Sequence, residues 1–260
     1  MPCAEPETRI SEAAGMPAEA QRTKAEDQRP KEGEGILDGS IHTFVLRSGR
    51  ITEAQRRAIE RFGPKYILPF TGAPLDPDSL FPEKKPLVLE IGFGMGQATW
   101  KIAQARAQFN YLGIEVHTPG VGRLIIDLER HGLENVRIIQ HDAIEVLKVM
   151  IPPESLAGIH IFYPDPWPKK RHHKRRLMQD AVVALMAAKL VAGGYLYFVT
   201  DIEEYASYAK ASLDSCAALK NQYESYAPRQ EWRPETKFEH FAKDSGRGTF
   251  ELLYIKGSPS

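Results

Sequence analysis

From residue 86 onward the chain alternates short apolar runs with longer stretches in which apolar residues recur every three to four positions. The runs fall at 87–91, 111–115, 136–140, 158–162 and 195–200, lengths that suit buried strands. Between them, "QATWKIAQARAQ", "PGVGRLIIDLERHG", "AIEVLKVMI" and "RRLMQDAVVALMAAKLVAGG" carry helical spacing, and Gly193 and Gly194 read as the stop of the last helix. Strand and helix in strict alternation predict an α/β fold, a doubly wound and mostly parallel sheet covered on both faces. Toward the C-terminus the alternation weakens. There "TFELLYIKG" predicts a final strand, beside an antiparallel edge partner at about 221–226.

Upstream, the segment "IHTFVLRSGRITEAQRRAIERFGPKYIL" mixes aromatics with Arg47, Arg50, Arg56, Arg57 and Arg61. Thr52 with Gln55 three positions on predicts a capped short helix. Its arginines are either a solvated helix face or an arm that meets RNA or gates a substrate. Residues 1–40 contain no aromatic residue and are rich in Glu, Pro, Ala and Gly, a composition that predicts a disordered tail. The expected organisation is that tail, an arm with its helix over 41–85, and a Rossmann-like core over 86–260.

With 42% apolar residues in 260, the chain can bury one substantial core. Its formal net charge is zero. Cys3 and Cys216 are too far apart in kind and place for a disulfide framework or a CxxC metal site, so a reducing, cytoplasmic setting is expected. The first residues, "MPCAEPETRI", lack the basic start and apolar run of a signal peptide, and no 18-residue apolar stretch occurs. No membrane association and no metal are expected.

Ligands of doubly wound sheets bind at the carboxyl ends of the strands, which directs attention to the residues there. The first strand ends in "EIGFGMG", with Glu90 inside the strand and Gly92, Gly94 and Gly96 in the turn. Glycines there allow a ligand close to the backbone. A dinucleotide fingerprint needs a glycine at position 97, which is Gln97, so NAD and FAD are disfavoured. The second strand ends in Glu115, where a carboxylate can accept from both hydroxyls of an adenosine ribose. After the third, Asp142 can accept an adenine amine, cap the next helix, or do both. Together with the glycine turn, these three carboxylates resemble the S-adenosylmethionine site of Rossmann-like methyltransferases, with Glu90 toward the cationic end of the cofactor.

The fourth strand leads into "FYPDPWPKKRHHKRR". Pro164 and Pro166 restrict Asp165 between them, so it has little conformational freedom to lose on binding. Directly behind it come six lysines and arginines in eight residues, a run suited to phosphates. This segment, following "EIGFGMG" and "GIEVH", resembles the bacterial tRNA (guanine-N7)-methyltransferase family over roughly residues 45–256.

The resemblance implies a class I methyltransferase fold, seven-stranded with an antiparallel last strand. It also implies transfer of methyl from S-adenosylmethionine to N7 of guanine 46 in the tRNA variable loop. It assigns Glu90, Glu115, Asp142 and Asp165 to the cofactor, with Asp165 also catalytic. Lys169, Asp201, Thr236, Lys237, Phe238 and Glu239 fall on substrate-contacting positions, and Arg171, His172, His173, Lys174, Arg175 and Arg176 on the RNA-interacting run. The expected partner is tRNA, with no obligate protein partner and a monomeric or homodimeric state. Two other readings remain: an amino-group methyltransferase of the adenine N6 type, suggested by the Asp-Pro-Trp turn, and a catalytically silent RNA-binding module.

Overall fold

The computed structural model describes residues 49–236, 239 and 248–258. The expected N-terminal tail, and Lys237 and Phe238, lie outside the described residues. Seven strands form one sheet: β1 Leu87–Ile91, β2 Asn110–Ile114, β3 Val136–Ile139, β4 Leu156–Phe162, β5 Leu190–Thr200, β6 Leu219–Asn221 and β7 Phe250–Lys256. Their spatial order is β3-β2-β1-β4-β5-β7-β6. The pairs from β3 across to β5 are parallel, whereas β7 runs antiparallel to both β5 and β6. The order reverses between β1 and β4, which makes the cleft above those two strand ends the switch point.

Helices α1 Glu53–Tyr66, α2 Gln97–Ala105, α3 Thr118–His131, α4 Ala143–Val149, α5 Asp180–Lys189 and α6 Glu203–Asp214 cover the two faces. Strand alternation decides which residue faces which layer. Leu87, Leu89 and Ile91 pack with Val146, Met186 and Leu213 of α4, α5 and α6. Val88 and Tyr111 pack instead with Ala58, Ile102 and Leu124 of α1, α2 and α3. Glu90 shares the parity of Val88, so its carboxyl enters the layer under α2 rather than the larger core.

The helix upstream of the core is integral to the fold. Thr52 and Gln55 form the expected capping box, and Gln55 Nε2 also donates to the Pro119 carbonyl at 3.0 Å. Gly122 lets α1 approach α3, since a Cβ there would lie 2.8 Å from that of Gln55. Beyond α1, Leu68 N donates to Ile138 O at 2.8 Å and covers the edge strand β3. Arg56 pairs with Glu53 and Glu60, and Arg57 with Glu53. Arg56 and Arg57 therefore belong to a solvated, internally paired face, the first of the two readings, while Arg47 lies outside the described residues.

Two sequence expectations need correction. Helix α5 stops at Lys189, and Gly193 and Gly194 lie inside β5. They form an excursion between the pairs Leu156↔Leu190 and Gly158↔Tyr195, with Gly193 at φ 76°. The excursion sets the Tyr195 ring over Gly158, where a Cβ would come within 2.4 Å of it. The edge strand, expected at 221–226, ends at Asn221. The Asn221 side chain accepts from Tyr223 N at 3.1 Å, a local turn that competes with further pairing.

Candidate active site

A cavity of about 510 Å³ opens at the switch point, and the ends of β1 through β5 all contribute to its wall. Ile91, Gly92, Gly94 and Met95 come from the first turn, and Glu115 and His117 from the second. His141 and Ala143 flank Asp142 at the third. Tyr163, Pro164, Asp165 and Pro166 follow β4, and Asp201 and Ile202 follow β5. Of the expected site residues, Gly92, Gly94, Glu115, Asp165 and Asp201 line this space.

The three glycines divide into two roles. All have left-handed φ, 73°, 57° and 70° for Gly92, Gly94 and Gly96. A Cβ on Gly92 or Gly94 would meet no atom within 4 Å, so both present bare backbone to open space. A Cβ on Gly96 would lie 2.7 Å from the Leu124 side chain. Gly96 therefore serves the packing of α2 on α3 rather than ligand approach.

The carboxylates are held in different ways. Glu115 Oε2 accepts from Gly94 N at 2.7 Å, and Oε1 accepts from Val116 N at 2.8 Å and His117 N at 3.0 Å. Three backbone donors fix its position beside the glycine turn and leave lone pairs for a ligand. Asp142 Oδ1 caps α4, accepting from Ile144 N at 2.8 Å and Glu145 N at 3.0 Å. Glu90 is buried, and its Oε2 has no hydrogen-bond partner among the described residues. Burial pushes its carboxyl up to about 7, with the charge of Glu115 adding to the shift and the Thr99 hydroxyl opposing it.

An acceptor left unmatched under a bare glycine turn fits a cationic or hydrogen-bond-donating ligand group supplied from the cavity, directly or through water. S-adenosylmethionine has such a group in its ammonium. The cavity's chemistry is thus consistent with that cofactor: exposed backbone at Gly92 and Gly94 and an anchored carboxylate at Glu115, with Glu90 buried next to the lining residue Ile91.

The loop after β4 carries Asp165 between two left-handed residues, Tyr163 at φ 51° and Trp167 at φ 45°. Side chains disfavour that region, so the surroundings must enforce it. At Tyr163 the backbone N–H is fixed on Val199 O at 2.8 Å, and at Trp167 the basic segment packs on the ring, folding back as a 3-10 helix, Lys170–Arg175. Arg175 lies over the Trp167 ring at 4.9 Å, and His172 meets it edge-on at 5.8 Å. Lys169, Lys170, Arg171 and Lys174 are exposed. His172 is held below its ordinary value, by desolvation and then by the surrounding cations.

Arg176 corrects the expectation that the whole run meets RNA. It is fully buried, donating Nε to Pro166 O at 2.9 Å and its two terminal nitrogens to the Glu204 carboxylate. A cation with no exposed surface and three of its five N–H donors committed inside the protein presents none to a phosphate in solution. Its bond also holds the Glu204 carboxyl below the usual range.

The family described as "Putative methyltransferase" matches residues 84–252. A tRNA (guanine-N(7)-)-methyltransferase of Paraburkholderia xenovorans is 47% identical over 252 residues, 94% of this chain and 96% of its own length. One of Methylobacillus flagellatus is 50% identical over 215 residues, 82% of this chain and 90% of its own. The chain belongs to the tRNA (guanine-N7-)-methyltransferase family.

Within this family member, the C-terminal segment reaches the cavity through Tyr163. The hydroxyls of Thr249 and Thr236 lie beside the Tyr163 phenol hydroxyl, whose pKa burial pushes up. Glu239, expected at the substrate, instead faces inward. Both its oxygens accept from the buried Arg233, at 2.9 and 3.0 Å, and Arg233 also holds Glu251 of β7 at 2.6 Å. Two more residues escaped the sequence reading. Gly120 of α3 packs so closely on the glycine turn that a Cβ would lie 2.0 Å from Gly94 O. A glycine inside the helical pattern "TPGVG" was the available signal. For Arg233, in the polar stretch "EWRPETKFE", no signal distinguished an internal cation from a surface one.

Proposed function

We propose that this protein transfers a methyl group from S-adenosylmethionine to N7 of guanine in tRNA, at position 46 of the variable loop, in a reducing cytoplasm. The observation that carries the proposal is the convergence of Asp165 and Asp201, from the ends of β4 and β5, on the cavity that the glycine turn and Glu115 also line. Close relatives bearing the tRNA (guanine-N(7)-)-methyltransferase name support the same reading.

In this mechanism Gly92, Gly94, Glu115 and Asp142 would hold the cofactor, and Glu90 would offer its unmatched acceptor to it. S-adenosylmethionine, when bound, supplies an electrophilic methyl on sulfur. Guanine N7 has a free lone pair and no proton, so the step needs no general base. The N7–carbon bond would form as the carbon–sulfur bond breaks, with the electron pair left on sulfur. The protein's task is alignment, which can supply several kcal/mol. Asp165 and Asp201 accept from the guanine N1–H and 2-amino group and stabilise the positive charge that moves onto the ring. Adenine lacks the 2-amino group and carries no N1 proton, so the same acceptors reject it.

Incubation with S-adenosylmethionine and unmodified tRNA, followed by borohydride and aniline cleavage, tests the reaction and its site. Cleavage in the variable loop is the expected outcome. Methylated adenine would favour an amino-group methyltransferase, and no methyl incorporation a silent RNA-binding module.

A further inference from the structure

Arg176 is the last residue of the basic run, yet its surroundings tie it to the reacting loops. Its guanidinium donates to Pro166 O at 2.9 Å, the carbonyl one residue beyond Asp165. The other edge of the same group forks onto Glu204, with one bond at 2.9 Å, three residues beyond Asp201. Its flat face lies over Tyr205 at 5.0 Å and Tyr208 at 4.8 Å, both on α6. Asp165 and Asp201 line one cavity but belong to loops after different strands. One buried planar cation therefore ties the backbone of the Asp165 loop to the Glu204 side chain in the first turn of α6, which follows Asp201.

We propose that Arg176 is a positioning residue that sets the separation of Asp165 and Asp201 around the guanine, and makes no contact with RNA. This rests on the methyltransferase reading for its effect on turnover, though the bridge itself is a property of the fold. Lysine cannot replace it. A single ammonium lacks the planar fork needed to serve a carbonyl on one edge and a carboxylate on the other. The strained φ values at Tyr163 and Trp167 give the loop a reason to relax once the bridge is lost.

The test compares R176K, E204Q and wild type by steady-state kinetics with tRNA, by the salt dependence of tRNA binding, and by amide hydrogen exchange over residues 163–169. For R176K we expect kcat to fall about ten- to a hundred-fold, the scale of a small misplacement at a reacting centre. KM for tRNA and the salt slope should stay at wild-type values, and exchange at Asp165 and Trp167 should quicken. E204Q keeps the size of the partner and should move kcat and exchange in the same direction by less, which covers the case in which R176K does not fold. K174Q, by contrast, should reduce the salt slope by about one unit.

A raised KM with a shallower salt slope and unchanged exchange in R176K would return Arg176 to the RNA. Wild-type kcat and exchange in E204Q would equally overturn the bridge. Failure of the wild-type protein to methylate tRNA would sink the enzymatic reading alone, since the exchange comparison still decides the bridge.

Discussion

Glu90 shows how one residue can set a pH dependence for the whole chain. Its carboxyl is raised to about 7 from an ordinary 4.5, chiefly by burial. The folded chain then holds a proton that the unfolded chain releases near 4.5. The stability tied to that proton is fully present below 4.5 and is lost as pH rises through about 7. A shift of this size corresponds to about 3 kcal/mol. His160, in register with Glu90 on β4, contributes with the opposite sign, because burial pushes its imidazole down from 6.5 to about 3, but that contribution is common to E90Q and wild type and cancels in their difference. E90Q removes the titration, so its stability relative to wild type should rise by about 3 kcal/mol between pH 4.5 and 8 in urea unfolding. A constant difference across that range would show that Glu90 ionises freely.

At the scale of elements, what the sequence made legible follows from how local each cause is. The capping box at Thr52 and Gln55 and the buried strand β1 are set by neighbours in the chain, and they appear where the pattern puts them. The excursion in β5 and the seating of the basic segment are set by distant partners, Gly158 with Tyr195 and Arg176 with Glu204. No periodicity reports such contacts. The same distinction separates the site's carboxylates: Glu115 and Asp165 follow from strand ends, whereas the inward turn of Glu239 depends on Arg233 and through it on β7.

The packing of α3 on the glycine turn gives this distinction a measurable form. G120A would force a Cβ into the Gly94 carbonyl, a backbone atom that cannot swing aside, and so displace the turn itself. Its S-adenosylmethionine affinity should drop about tenfold or more by calorimetry, the equivalent of roughly 1.4 kcal/mol. G132A, at the other end of α3, meets no atom within 4 Å and bears only the strain of φ 62°. It should lose about 1 kcal/mol of stability and keep its affinity. Equal affinities for the two variants would mean that the turn does not depend on α3.

Across the whole molecule, equal numbers of positive and negative residues leave no net attraction for a polyanion, so tRNA capture must come from local segregation of charge. Arg56 and Arg57 of α1 pair with Glu53 and Glu60 of their own helix, Arg61 lies over Phe62, Arg175 is drawn onto Trp167, and Arg176 is buried. That leaves Lys169, Lys170, Arg171 and Lys174 as the exposed ridge beside the Asp165 loop, four cations where the sequence offered six. Each phosphate neutralised adds about −0.9 to the slope of log affinity against log salt on a duplex. The slope should therefore lie between about −3 and −4, and one steeper than −5 would return all six residues to the interface. Replacing the four by glutamine should flatten most of that dependence. If the slope survives, the tRNA rests on another face, and the proximity of this ridge to Asp165 does not guide its approach.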